Sequence, residues 1–217
     1  MPKWFKTVVA LLLVPACIGA VAALLRVVGA TGGADRFWVA FLGGAACWLA
    51  IFLLLPKPML LYVFGHELTH ALWAWLFGGQ VKRFKVTAKG GLVVISRSNF
   101  LIVLAPYFFP LYVACVVLVF AVGHLVFGWE RYLAWFHLVI GAAYAFHVTL
   151  TWHILRTRQS DITTQGYLFS AVILFLGNIS VLLVGLPLLT ARVTLLTALS
   201  WWLQETGAVL QRLARLL

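Results

Sequence analysis

Acidic residues are scarce in this chain of 217: five in all, against 16 lysines and arginines. Charge of either sign is thin, at 10% of residues, whereas 64% are hydrophobic and mean hydropathy is +1.06. That balance excludes a soluble domain of this size and describes a polytopic membrane protein. There are only three cysteines, Cys17, Cys47 and Cys115, all in apolar runs and without C-x-x-C spacing. They argue against a disulfide framework or a thiolate metal site and read as small core residues. Internal repeats, low-complexity runs and linkers are absent. The formal net charge of +11 raises nucleic acid as a partner. The bases, however, sit at the ends of apolar runs and in one short loop, which fits anionic lipid headgroups instead. No nucleic-acid partner is expected.

A span takes about 20 apolar residues, so the length accommodates about six and little else. The expected fold class is an all-α polytopic membrane protein forming one integral membrane domain over 1–217. The spans are expected near 7–28, 37–55, 59–77, 100–127, 132–155 and 167–189. The first follows M-P-K-W-F-K and runs on through Ala30 without a small-residue cleavage site, so it reads as a retained span and not a removed signal. P-K-P at 56–58 closes the second, and Gly78-Gly79 ends the third. Pro106 and Pro110, in A-P-Y-F-F-P, must kink or break the fourth and free backbone carbonyls. Asn178 is an interior polar residue of the sixth. The tail over 192–217, with Trp201, Trp202, Arg212 and Arg215, reads as an interfacial amphipathic helix or, failing that, a seventh span.

One stretch has strand character. Val81, Phe84 and Val86 precede Gly90-Gly91, a two-glycine turn signal, and Leu92–Ile95 follow it. A short β-hairpin over 80–97 is expected beside the third span, carrying Lys82, Arg83, Lys85, Lys89 and Arg97. Those bases favour the cytoplasmic side for the hairpin and for Arg156 and Arg158.

The chemistry lies within the third span, where residues 65–70 read G-H-E-L-T-H. On a helix His66 and His70 are four residues apart and share a face, from which both imidazoles can bind one Zn²⁺. Glu67, one step round, is placed as general base toward zinc-activated water. A charge at the centre of a membrane helix costs roughly 3 kcal/mol even on the mildest scale, and a metal site is what repays it.

A catalytic zinc normally takes three protein ligands and keeps one position open. Asp35 and Glu130 sit in loops beside arginines, and Glu205 lies in the tail. Asp161 stands at the end of the fifth span, in S-D-I-T-T-Q-G. The third and fifth spans run in the same direction, so the ends of both lie on one side of the membrane. Asp161 ranks first as third ligand, His147 second and His153 third. His147 and Asp161 are about 20 Å apart along a continuous helix and cannot both ligate one ion. Lone histidines in membrane helices, among them His124 and His137, usually hydrogen-bond a neighbouring helix.

With these parts in place the sequence resembles the site-2 protease-like (peptidase M50) family of intramembrane zinc metalloproteases. The matching features are G-H-E-L-T-H-A-L in an apolar helix, the G-G and strand segment after it, a proline-bearing next helix and an aspartate two spans on; together they cover about 60–170. The resemblance implies a catalytic core over about 59–170, with peripheral spans at 7–55 and 167–189. It implies His66, His70 and Asp161 as metal ligands, Glu67 as catalytic base and Zn²⁺ as cofactor. The chain departs from the family where a D-G pair is usual, having S-D-I-T-T-Q-G, and where G-P-x-x-N is usual, having A-P-Y-F-F-P.

The implied activity is a zinc metalloendopeptidase that cuts membrane-embedded substrates, with a transmembrane protein or peptide and the lipid bilayer as partners. The expected location is a bacterial cell membrane. Two other readings stand beside it. One is a non-catalytic relative, a pseudoprotease that binds partner transmembrane helices. The other is a membrane zinc protease of the prenyl-protein-protease type, whose third ligand would be Glu130 or Glu205.

Overall fold

A computed structural model describes residues 2–216. It is mostly helical, with one two-stranded antiparallel hairpin. In chain order the elements are α1 (Lys3–Thr31), α2 (Asp35–Leu54), α3 (Met59–Leu76), β1 (Val81–Thr87), β2 (Gly90–Ile95), α4 (Phe100–Leu104), α5 (Leu111–Phe127), α6 (Leu133–Leu155), α7 (Ser160–Gln165), α8 (Tyr167–Thr190) and α9 (Leu195–Ala214). Short 3-10 turns at Ala105–Tyr107 and Trp129–Tyr132 lead into α5 and α6.

Among the described residues, four helical segments are long and apolar enough to cross a membrane: α1, α2, Trp129–Leu155 and α8. A fifth candidate is the bent pair Phe100–Tyr107 and Leu111–Phe127, whose halves meet at 81°. The prolines therefore break this segment and do not merely kink it. Pro106 opens the 3-10 turn and Pro110 stands at the start of α5. Neither has an N–H for a helical hydrogen bond, and each ring crowds the preceding turn. The helix α3 forms where expected, but it is not among the segments apolar enough to be counted, because His66, Glu67, Thr69 and His70 dilute its apolar character.

The chain divides into two compact bodies, one of residues 36–159 and one of the chain up to Asp35 together with Ser160 onward. In lipid, apolar surface gives helices no net drive to associate, so close packing and hydrogen bonds must hold each body together. In the first body, α2 and α6 approach through glycines. A Cβ on Gly44 would strike the Leu138 carbonyl, and one on Gly141 the Phe41 carbonyl. Trp48 Nε1 donates to Thr149 Oγ1 at 2.8 Å across the same pair. Around them Tyr62 and Val63 of α3 pack on Phe146 and Leu150 of α6, with Tyr112 of α5 and Val86 of β1 at the edge.

The hairpin lies against α3, as expected, but its turn is not where the glycines suggested. Val81 pairs with Ile95 and Thr87 with Gly90, so the turn is Ala88-Lys89 and Gly90-Gly91 open β2. Thr87 Oγ1 donates to the Gly90 carbonyl at 2.7 Å and closes the turn.

In the second body α1 packs along α8 and α9. Gly19 sits so close to Thr206 that a Cβ would lie 2.6 Å from its backbone nitrogen. Trp202 Nε1 donates to the Ala16 carbonyl at 3.0 Å, and Arg26 pairs with Glu205 at 3.0 Å. The tail is thus a helix docked on α1, and it is not among the segments apolar enough to span. Asn178 returns its amide to the Leu174 carbonyl at 2.8 Å. All three cysteines are free, but Cys47 and Cys115 are exposed, so only Cys17 is even partly packed. A uniformly apolar membrane helix carries no stripe that tells its packed side from its lipid side, so Cys47 and Cys115 are not the core residues that their apolar surroundings suggest.

Candidate metal centre

Helix α3 holds His66, Glu67 and His70, with Glu67 and His70 buried. The one-turn spacing brings the two imidazoles together, with ring centroids 4.9 Å apart and planes at 78°. Edge-on contact with Tyr107, at 5.1 Å, backs the His66 ring.

The His70 ring is fixed from the broken segment. Its Nδ1 lies 2.8 Å from the Ile102 carbonyl oxygen. In a continuous helix that carbonyl would accept from the N–H four residues on, but residue 106 is proline and has none. The freed carbonyl can only accept, so His70 carries its proton on Nδ1 and presents Nε2 as a ligand. Metal-binding histidines are commonly oriented through the other ring nitrogen in this way. The donor chemistry therefore fits a divalent ion such as zinc: two neutral imidazoles, one with its tautomer set by a backbone carbonyl.

Two contacts fix the helix around them. Tyr112 Oη donates to the Leu61 carbonyl at 2.6 Å, and its ring fills the space beside Gly65, where a Cβ would come within 2.7 Å of the ring. On the other side β2 crosses Glu67 so closely that a Cβ on Gly91 would lie 2.7 Å from Oε1. A methyl group there would force the Glu67 side chain or the strand to shift. The strand that follows the motif in sequence thus returns over its carboxylate.

A family model described as "Peptidase M50B-like" matches residues 40–156. The chain belongs to the M50B-like peptidases. The matched stretch is more than half the chain and contains His66, Glu67 and His70, and it ends before Asp161. Searches of curated proteins and of solved structures return no match.

The other sequence candidates are placed as follows. Among the described residues 36–159, no third histidine, cysteine or acid joins His66 and His70 in a set whose donor atoms lie within 4.8 Å of one another. His147 and His153 are therefore not brought in as third ligands. His153 instead lies edge-on to Phe52, at 6.5 Å. Glu130 belongs to the 3-10 turn before α6, and Glu205 is paired with Arg26. Asp161 occupies the first turn of α7, in the body that holds α1, α8 and α9, and is half-buried. Two features of the site were not read from the sequence. Gly90-Gly91 reads in the sequence as a turn and hides the approach of Gly91 to Glu67, and the only signal of the His70 partner is the proline four residues after Ile102.

Proposed function

We propose that this M50B-like chain is an intramembrane zinc metalloprotease that hydrolyses peptide bonds of membrane-embedded substrates. The observation that carries the reading is the converging His66–His70 pair, with one ring set by a freed backbone carbonyl and Glu67 held beneath a glycine of the hairpin. In this reading α3 is a sixth span, shielded by its neighbours, and Asp161 supplies the third ligand. Asp161 is favoured because it stands two spans after the motif and because residues 36–159 offer no third donor of their own.

Zinc, when bound, lowers the pKa of water and polarises a peptide carbonyl. The chain's own residues do the rest. Glu67 takes a proton from the attacking water and passes it to the leaving amine nitrogen. A substrate helix must unwind to present its carbonyl, and the hairpin offers a strand edge along which an extended segment can pair. The burial of Glu67 and His70 keeps bulk water from the reacting groups.

A non-catalytic, helix-binding relative is the competing reading; the match ending before Asp161 is the observation on its side. Purified wild-type protein and Glu67→Gln, incubated with single-span peptides in liposomes, separate the two. The protease reading expects cut peptides from wild type only, with zinc retained in both. Cleavage by Glu67→Gln would rule out the mechanism, and a zinc-free, folded wild type would favour the binder.

A further inference from the structure

A cavity of about 20 Å³ lies where α3, α5 and α6 meet, and its walls include His66 and Thr69 of α3, Tyr112 of α5 and His147 of α6. That is room for one water molecule. Neither Glu67 nor His70 lines it, so a water held there is not the one that reacts.

The polar groups around it suit a bridging water. His147 is 7% exposed, and its Nε2 has no hydrogen-bond partner among the described residues, so no direct bond from that atom joins it to His66. The Thr69 hydroxyl donates to the Gly65 carbonyl at 2.7 Å, and the Tyr112 hydroxyl to the Leu61 carbonyl at 2.6 Å. Each of those oxygens is left able only to accept. A neutral imidazole that gives one nitrogen to a metal carries its proton on the other. The His66 N–H can therefore donate to the water, whose own hydrogens go to His147 Nε2 and to a hydroxyl oxygen. That set meets the roughly three hydrogen bonds a buried water usually makes.

We propose that His147 is a positioning residue for the metal site: through one buried water its Nε2 holds the His66 N–H and so fixes the tautomer and tilt of that ligand. It is not itself a ligand, and it stands outside the donor set of His66 and His70. The two metal-binding imidazoles are then oriented by different means. The Ile102 carbonyl holds His70 directly, and α6 holds His66 through water. The proposal rests on the zinc binding in the reading above, not on peptide hydrolysis.

The test uses the full chain in lipid nanodiscs, with folding checked by circular dichroism and zinc affinity measured by chelator competition. The variants are His147→Leu, His147→Asn, His147→Gln and Thr151→Val, together with His66→Ala alone and combined with His147→Leu. Gln places a polar group near the position of imidazole Nε2, and Asn only near that of Nδ1. His147→Leu and His147→Asn should weaken zinc about 10- to 100-fold, with about one zinc still bound at saturation. His147→Gln should stay within about threefold of wild type. In the His66→Ala background His147→Leu should change affinity less than about twofold, because the ligand it acts on is gone. Thr151 is one turn on along α6; its buried hydroxyl also lacks a partner among the described residues, but it does not line the cavity. Thr151→Val should leave zinc affinity unchanged.

Wild-type affinity in His147→Leu and His147→Asn overturns the proposal. So does an equal loss with and without His66, or a His147→Gln variant as weak as His147→Asn. If His147→Leu does not fold, the contrast between Asn and Gln decides. A folded wild type that binds no zinc instead overturns the metal reading, and that result depends on no His147 variant.

Discussion

His70 Nδ1 donates to the main-chain carbonyl of Ile102 at 2.8 Å, an acceptor that exists because residue 106 is proline. The break in the proline-bearing segment and the orientation of a metal-binding imidazole are therefore one feature. The side chains of α3 supply the ligands, and the backbone of α4 decides which nitrogen of His70 faces the metal.

Replacing Pro106 by alanine restores an N–H at the position that would bond Ile102 in a regular helix. The carbonyl then has a competing donor, and His70 loses its constraint. Zinc affinity, measured by competition with a chelator, should fall about 10- to 100-fold, while helix content by circular dichroism stays at the wild-type level. Unchanged affinity would mean that the carbonyl does not orient the ring.

Gly91→Ala puts a methyl group against the Glu67 carboxylate. The carboxylate or the strand must shift, and misplacement by about 1 Å can cost about 100-fold in rate. Cleavage should fall by that order with zinc retained. Gly43→Ala, on α2, has open space around its Cβ position and should leave activity and stability as they are.

The α2–α6 contact should be the sensitive point for stability in the body of residues 36–159. A larger residue at Gly44 or Gly141 meets the backbone of the facing helix, not a movable side chain. Gly141→Val should cost about 1–3 kcal/mol or more, read as a lower unfolding midpoint in detergent, and the wild-type midpoint would contradict the close approach.

Glu205→Gln removes the partner of Arg26. Both side chains are part-exposed, and such pairs contribute about 0–1 kcal/mol. Zinc content and cleavage should match wild type. Zinc lost on this substitution would instead revive the prenyl-protein-protease reading, in which a late glutamate is the third ligand.

The sequence was most informative where chemistry dictates residue type. Zinc binding demands imidazoles on one helical face, so His66 and His70 stood out, and proline's missing N–H made a break near residue 106 readable. It was least informative where one residue type serves two ends. Gly91 lets β2 pass close against the Glu67 side chain, yet a glycine pair between apolar runs looks the same as a turn. His147 was visible as a polar residue in a span, but what an α6 side chain faces depends on how α6 packs against α3, and no local pattern encodes that. The apolarity of the spans concealed which side Cys47 and Cys115 face for a similar reason: lipid and protein interior select the same side chains.

The most direct test of the account is the zinc content of the purified chain, by elemental mass spectrometry, in wild type and in the His66→Ala/His70→Ala double variant. The account predicts about one zinc per wild-type chain and less than about a tenth of that in the double variant, both folded. A folded wild type without metal, or equal zinc in both proteins, would contradict it.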